Sequence, residues 1–188
     1  MKKAIAVLSA FFLCVVLSDA AFGQTMQKRY VADFGGAFTQ ATVTKARMGF
    51  AGIDIQASKM LTNNISVGIA TGYDIVSFRE IEGIYERFAI IPMLAKARYY
   101  FTLSPITQLY ASAAGGVYQS IPHLSVDPIG GMWNSTTKPG GAVAFGFNYW
   151  FLGTQGIGAE FEYNFFDSGG ENMFSYFALR INYSLIKM

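Results

Sequence analysis

The chain has 188 residues, the length of a single domain. Hydrophobic residues make up 52% of it and aromatics 16%, while charged residues reach only 14%, well below the quarter typical of soluble domains. A formal net charge of +2 with no clustered basic run lacks the electrostatic footprint of a nucleic-acid binder, so no nucleic-acid partner is expected.

The first element in chain order is not part of the fold. Lys2 and Lys3 form a positive start, residues 4–17 an apolar run, and Ser18-Asp19-Ala20 a small-residue cleavage site. This reads as a secretory signal peptide over 1–20, too short and wrongly flanked for a membrane helix. Cleavage is expected after Ala20, or alternatively after Gly23, leaving residues 21–188 as the folded domain. Cys14 lies inside the apolar run, behind Leu13 and with no small residue where a lipoprotein signal needs one, so it leaves with the leader. The mature chain then has twelve basic and eleven acidic residues, a net +1, and no cysteine. A disulfide scaffold is thereby excluded. With His123 as the single histidine, so is a His/Cys metal centre, and no metal or cofactor is expected.

Beyond the leader no stretch of 18 apolar residues exists, so the apolar excess must be carried by strands. Alternate residues of a strand point to opposite faces, and eight segments follow that period. Residues 30–38 set Tyr30, Ala32, Phe34, Gly36 and Phe38 against Val31, Asp33, Gly35 and Ala37. Residues 48–57 are weaker, with Gly49, Ala51, Ile53, Ile55 and Ala57 opposing Phe50, Gly52, Asp54 and Gln56. Residues 65–75 put Ile65, Val67, Ile69, Thr71, Tyr73 and Ile75 opposite Ser66, Gly68, Ala70, Gly72 and Asp74. Residues 88–101 put Ala89, Ile91, Met93, Ala95, Ala97, Tyr99 and Phe101 opposite Lys96, Arg98 and Tyr100. Residues 108–118 leave their facing open. Residues 142–151 set Val143, Phe145, Phe147, Tyr149 and Phe151 against Gly146, Asn148 and Trp150. The clearest strand is 156–166, where Ile157, Ala159, Phe161, Tyr163 and Phe165 oppose Gly158, Glu160, Glu162 and Asn164. Residues 175–185 close the series, with Phe177, Leu179, Ile181, Tyr183 and Leu185 against Arg180, Asn182 and Ser184.

Strands of about ten residues match the span of a tilted strand across a bilayer. The connections alternate between short (59–64, 102–106, 152–155) and longer, more polar or richer in glycine and proline (39–46, 79–87, 119–141, 166–172). If the chain starts in the periplasm, every short connection falls there and every long one outside, the asymmetry of an outer-membrane barrel. Tyr99, Phe101, Tyr149, Phe151 and Tyr183 gather near the periplasmic ends as an aromatic girdle. The polar face is mostly Gly, Ala, Ser and Asn, which suits a narrow filled lumen better than a wetted surface. The expected fold is all-β, an eight-stranded antiparallel up-and-down transmembrane β-barrel with both termini in the periplasm. A soluble lipocalin-like barrel is the other reading.

With its leader, its eight-strand rhythm and the segment Ile91-Pro92…Ala97-Arg98-Tyr99-Tyr100-Phe101, the mature chain resembles the small outer-membrane barrels of the OmpA/OmpX/OmpW type. The resemblance implies export to the outer membrane of a Gram-negative-type bacterium. Its implied partners are outer-membrane lipid and lipopolysaccharide, the barrel assembly machinery inserts it, and a monomer is expected. Such barrels usually end in an aromatic residue, whereas this chain ends Leu185-Ile186-Lys187-Met188.

Parity turns Asp33, Asp54, Asp74, Lys96, Arg98, Glu160, Glu162 and Arg180 inward. A last hairpin turning near 169–171 places Arg180 opposite Glu160, and closure of the barrel is expected to bring Asp33 near Arg180. Buried charges must be paired, so the expected arrangement is a salt-bridge network plugging the lumen; a gated ion path is the alternative. His123 and Ser125, in the long connection, resemble the His-x-Ser pair of lipid A deacylases. However, the surroundings do not match that family: Asp127 is the nearest carboxylate and none follows before Glu160. A solvated loop histidine is preferred. Trp133, among the Gly and Pro of the same loop, is a candidate contact residue, either for a partner or against the barrel rim. The expected function is non-enzymatic, a structural or surface-contact role through the outer loops. The alternatives are a small channel or hydrophobic-ligand conduit and, more remotely, a lipid A-modifying enzyme.

Overall fold

A computed structural model describes residues 30–42, 49–81, 84–104, 106–125, 135–152, 154–167 and 173–187. The expected leader, Trp133 and Asp127 lie outside the described residues. Eight strands run in chain order: β1 Tyr30–Ala41, β2 Gly49–Met60, β3 Ile65–Ile81, β4 Ile84–Ser104, β5 Thr107–Ser125, β6 Thr136–Trp150, β7 Gln155–Asp167 and β8 Met173–Lys187. Each pairs antiparallel with the next, and β1 pairs with β8, so the sheet closes into a barrel. Closure removes the exposed strand edges that an open sheet would leave unpaired.

The alternation sorts the side chains as the period-two reading requires. Phe34, Ile55, Phe145, Phe147, Phe161, Leu179 and Ile181 point outward, with Ile53 67% and Ile69 70% exposed, while Asp33, Asp54, Asp74, Glu160, Glu162 and Arg180 are buried. A polar interior inside an apolar exterior inverts the arrangement of a water-soluble barrel, and it satisfies both environments only when hydrocarbon surrounds the wall. Tyr99, Phe101, Tyr149, Phe151 and Tyr183 are exposed and cluster at the end where β2–β3, β4–β5 and β6–β7 connect. These three short connections define what is called below the short-turn end.

Two expectations about the connections need correction. The segment 79–87, expected as a loop, is mostly strand, because β3 continues to Ile81 and β4 starts at Ile84. The long segment 119–141 is likewise strand at both ends, so His123 and Ser125 lie within β5, opposite Arg87 and Tyr85 of β4. Composition suggested loops because these stretches are polar, but a strand that outruns the hydrocarbon keeps its ladder while exchanging lipid for water. The undecided strand also resolves: Tyr110, Ser112 and Tyr118 of β5 face inward.

Candidate functional site

Reading the inward positions from the short-turn end upward, the lumen has three tiers. At the short-turn end, Trp150 Nε1 donates to Gln108 Oε1 at 3.0 Å. A cavity of about 70 Å³ sits beside them, lined in part by Val31, Met60, Thr62 and Tyr100.

The middle tier is the charged cluster, and the eight residues singled out by parity all lie in it. The most exposed of them, Lys96, is only 7% accessible. Lys96 Nζ bridges Glu160 Oε1 at 2.7 Å and Glu162 Oε2 at 3.0 Å. Arg98 Nη1 donates to Asp33 Oδ2 at 2.9 Å, and its Nη2 lies 3.4 Å from Glu160 Oε2. The Arg98 guanidinium also lies over the Tyr110 ring, 4.4 Å from its centroid, a cation–π contact. Arg180 collects three carboxylates: Glu162 Oε1 at 2.8 Å, Asp74 Oδ2 at 3.0 Å and Asp54 Oδ1 at 3.4 Å.

Neutral groups tie these ion pairs into one network. Arg98 Nη2 donates to Gln56 Oε1 at 2.6 Å, and Gln56 Nε2 donates to Asp54 Oδ2 at 2.8 Å. An arginine can only donate, so it fixes which end of the Gln56 amide faces Asp54. The Tyr176 hydroxyl donates to Asp74 Oδ2 at 2.8 Å, and Asn164 Nδ2 to Glu162 Oε1 at 2.9 Å. Burial of so many charges is tolerable because each finds a counter-charge or a hydrogen bond in a low-dielectric interior.

Above this cluster the lumen becomes apolar. Val76, Ile90, Leu94, Tyr118, Phe166 and Tyr176 form one buried group near the ends of the long connections. The Tyr118 and Phe166 rings stack with centroids 5.0 Å apart. The Tyr118 hydroxyl points down, 2.9 Å from both Asn164 Oδ1 and the Gly141 carbonyl, which joins the apolar cap to the charged tier.

Small inward residues make room for the large ones. At Gly146 a Cβ would run into the ring of Tyr110, and at Gly35 into the amide of Asn182. Glycine at these two positions lets a neighbouring side chain lie flat against the wall.

One expected contact is replaced. Asp33 bonds Arg98 rather than Arg180. The β1–β8 register puts Ala37 opposite Arg180 and Asp33 opposite Ser184, so Asp33 sits two inward positions closer to the short-turn end. The expected β7–β8 register is present, with Glu160 opposite Arg180. Sequence reasoning did not single out Gln56, Tyr110, Tyr118, Asn164 and Tyr176 as parts of the network. For Gln56, Asn164 and Tyr176 the strand parity already pointed inward.

No family model matches the chain, and no curated protein matches it in sequence. Solved structures do match. Neisserial surface protein A (NspA) is 19% identical, with 84% of this chain and 96% of that chain covered at a TM-score of 0.57. Ail, the attachment invasion locus protein of Yersinia pestis, is 15% identical, with 86% and 100% covered at 0.57. The outer membrane protein OprG from Pseudomonas aeruginosa is 11% identical, with 85% and 96% covered at 0.58. What the chain shares with these proteins is the fold, the small eight-stranded barrel of outer-membrane proteins.

Proposed function

We propose that the protein is a non-enzymatic integral outer-membrane barrel whose lumen is plugged by its own side chains, and which acts through the loops at the end opposite the short turns. The observation that carries this reading is the filling of the upper two of the three tiers: a salt-bridged cluster spans the lumen, and an apolar cap lies between it and the long connections. An eight-stranded barrel has room for side chains and little else, so a continuous water path would have to displace paired charges.

The apolar exterior and the aromatic band at the short-turn end support residence in lipid, with outer-membrane lipid and lipopolysaccharide as neighbours. The leader read in residues 1–20 supports export; insertion by the barrel assembly machinery and a monomeric state belong to the same proposal. A structural or surface-contact role fits a closed body presenting loops.

The test is fractionation of cells expressing the full chain. The mature protein is expected in the outer-membrane fraction, resistant to carbonate and urea and released only by detergent. Recovery as soluble periplasmic protein without detergent overturns the reading.

A further inference from the structure

Two independent observations inside the lumen point to one ligand. The first is charge. The buried cluster holds five carboxylates, Asp33, Asp54, Asp74, Glu160 and Glu162, against three cations, Lys96, Arg98 and Arg180. Its formal charge is therefore −2, and each cation already serves at least two carboxylates. No other cation is buried among the residues whose side chains are described. Uncompensated charge in a low-dielectric interior is costly enough to require a counter-charge.

The second is a patch of buried oxygens lacking partners. Asp33 Oδ1, Asn182 Oδ1 and Ser184 Oγ are all buried and make no hydrogen bond. They are neighbours on the β1–β8 seam, where Ser184 is opposite Asp33 and Asn182 is opposite Gly35, the next inward position. Asp33 uses only its other oxygen, Oδ2, to hold Arg98. Val31 and Ile186, each two residues along its strand from Asp33 and Ser184, line the cavity at the short-turn end.

We infer that the β1–β8 seam of the lumen binds a small monovalent cation, sodium or potassium, through Asp33 Oδ1, Asn182 Oδ1 and Ser184 Oγ. Hard oxygen donors select such an ion over a transition metal. One carboxylate oxygen with two neutral oxygens is a weak field, whereas calcium or magnesium sites draw on several carboxylates or on retained water. No group of three acidic, His or Cys residues able to hold a metal ion occurs among the described residues. The ion halves the excess charge and gives each of the three oxygens a partner. It enters from the short-turn end and goes no further, which rests on the plugged-lumen reading; binding itself does not depend on it.

The experiment is thermal unfolding of the refolded mature chain in detergent micelles. Sodium chloride, potassium chloride and N-methylglucamine chloride are compared at equal ionic strength. The midpoint is expected to be higher in sodium or potassium than in N-methylglucamine by at least about 3 °C. Asp33→Asn abolishes that difference. Ser184→Ala, which removes an oxygen but no ion pair, cuts it by more than half while the circular dichroism of the barrel is unchanged. Equal midpoints in the three salts overturn the inference, as does a cation effect that survives Ser184→Ala. A midpoint indifferent to the cation that falls as pH rises also overturns it, because protons would then supply the counter-charge. Conductance is not read in this experiment, so its failure is distinguishable from failure of the plug.

Discussion

Glu160 and Arg180 face each other directly across β7 and β8, yet their ion pairs run elsewhere: Glu160 to Lys96 and Arg98 of β4, Arg180 to Glu162, Asp74 and Asp54. A guanidinium on a long stem reaches past its register partner, to the next inward residue of β7 and across the lumen to β2 and β3. The two residues thus belong to separate branches of the network, and Lys96, which holds both Glu160 and Glu162, joins them.

Removing Arg180 takes a cation from three carboxylates at once, leaving Glu162 with Lys96, and Asp54 and Asp74 with only the neutral donors Gln56 and Tyr176. Arg180→Ala is expected to cost about 3–5 kcal/mol, the scale for breaking one side of a buried ion pair. Arg180→Lys recovers part of this, because the charge returns without the fork that serves several acceptors. Urea unfolding of the refolded barrel in detergent measures both, and an Arg180→Ala variant as stable as the parent contradicts the network.

On the outside, charge should be as unwelcome as it is tolerated within. Phe145 is 54% exposed on the outer wall of β6. Phe145→Arg is expected to cost about 2–4 kcal/mol in a bilayer, the value for a cation near the midplane of a barrel's lipid face. Unfolding from phospholipid vesicles provides the measurement. A neutral effect would place that face in water.

At Gly146 the limit is space. Gly146→Val drives a side chain into the Tyr110 ring, and overpacking of this kind costs about 1–3 kcal/mol. Adding Tyr110→Ala should recover part of the loss, a non-additivity that a double-mutant cycle reads directly. Recovery stays incomplete because the Ala159 carbonyl is also close to the new Cβ and Arg98 loses its aromatic partner.

His123 and Ser125 belong to β5, and the proposed function gives them no chemistry. Replacing either with Ala should leave the lipid A of expressing cells unaltered by mass spectrometry. A changed acylation pattern would restore the enzymatic alternative.

Much of this fold is legible in the residues themselves because the side-chain period of a strand is two. In 156–166 the sorting of Ile157, Phe161 and Phe165 from Glu160, Glu162 and Asn164 fixes both the element and its inner face. The β5 segment hides its facing because Ala111, Ala113, Ala114, Gly115 and Gly116 carry no polarity contrast; the burial of Tyr110, Ser112 and Tyr118 discloses it. Strand ends are hidden for a different reason. Residues 79–81, 84–87 and 119–125 are strand yet carry many polar side chains, as strand ends reaching past a lipid-facing band would, and polarity there resembles a loop. The membership of the cluster follows from parity, but its wiring does not. Asp33 meets Arg98 instead of Arg180 because the closing register of β1 on β8 is set by the whole sheet, and no single hairpin reveals it.

A lumen sealed by its own side chains passes no ions, and single-channel recording in planar bilayers reads this without an intermediary. The refolded mature protein should give no stable conductance step. Arg180→Ala combined with Tyr118→Ala, which removes a hub of the cluster and a wall of the cap, should open one. Sustained channels in the unmodified protein, with a conductance that changes on Glu160→Gln, would show that ions already pass through the charged tier and that the lumen is not plugged.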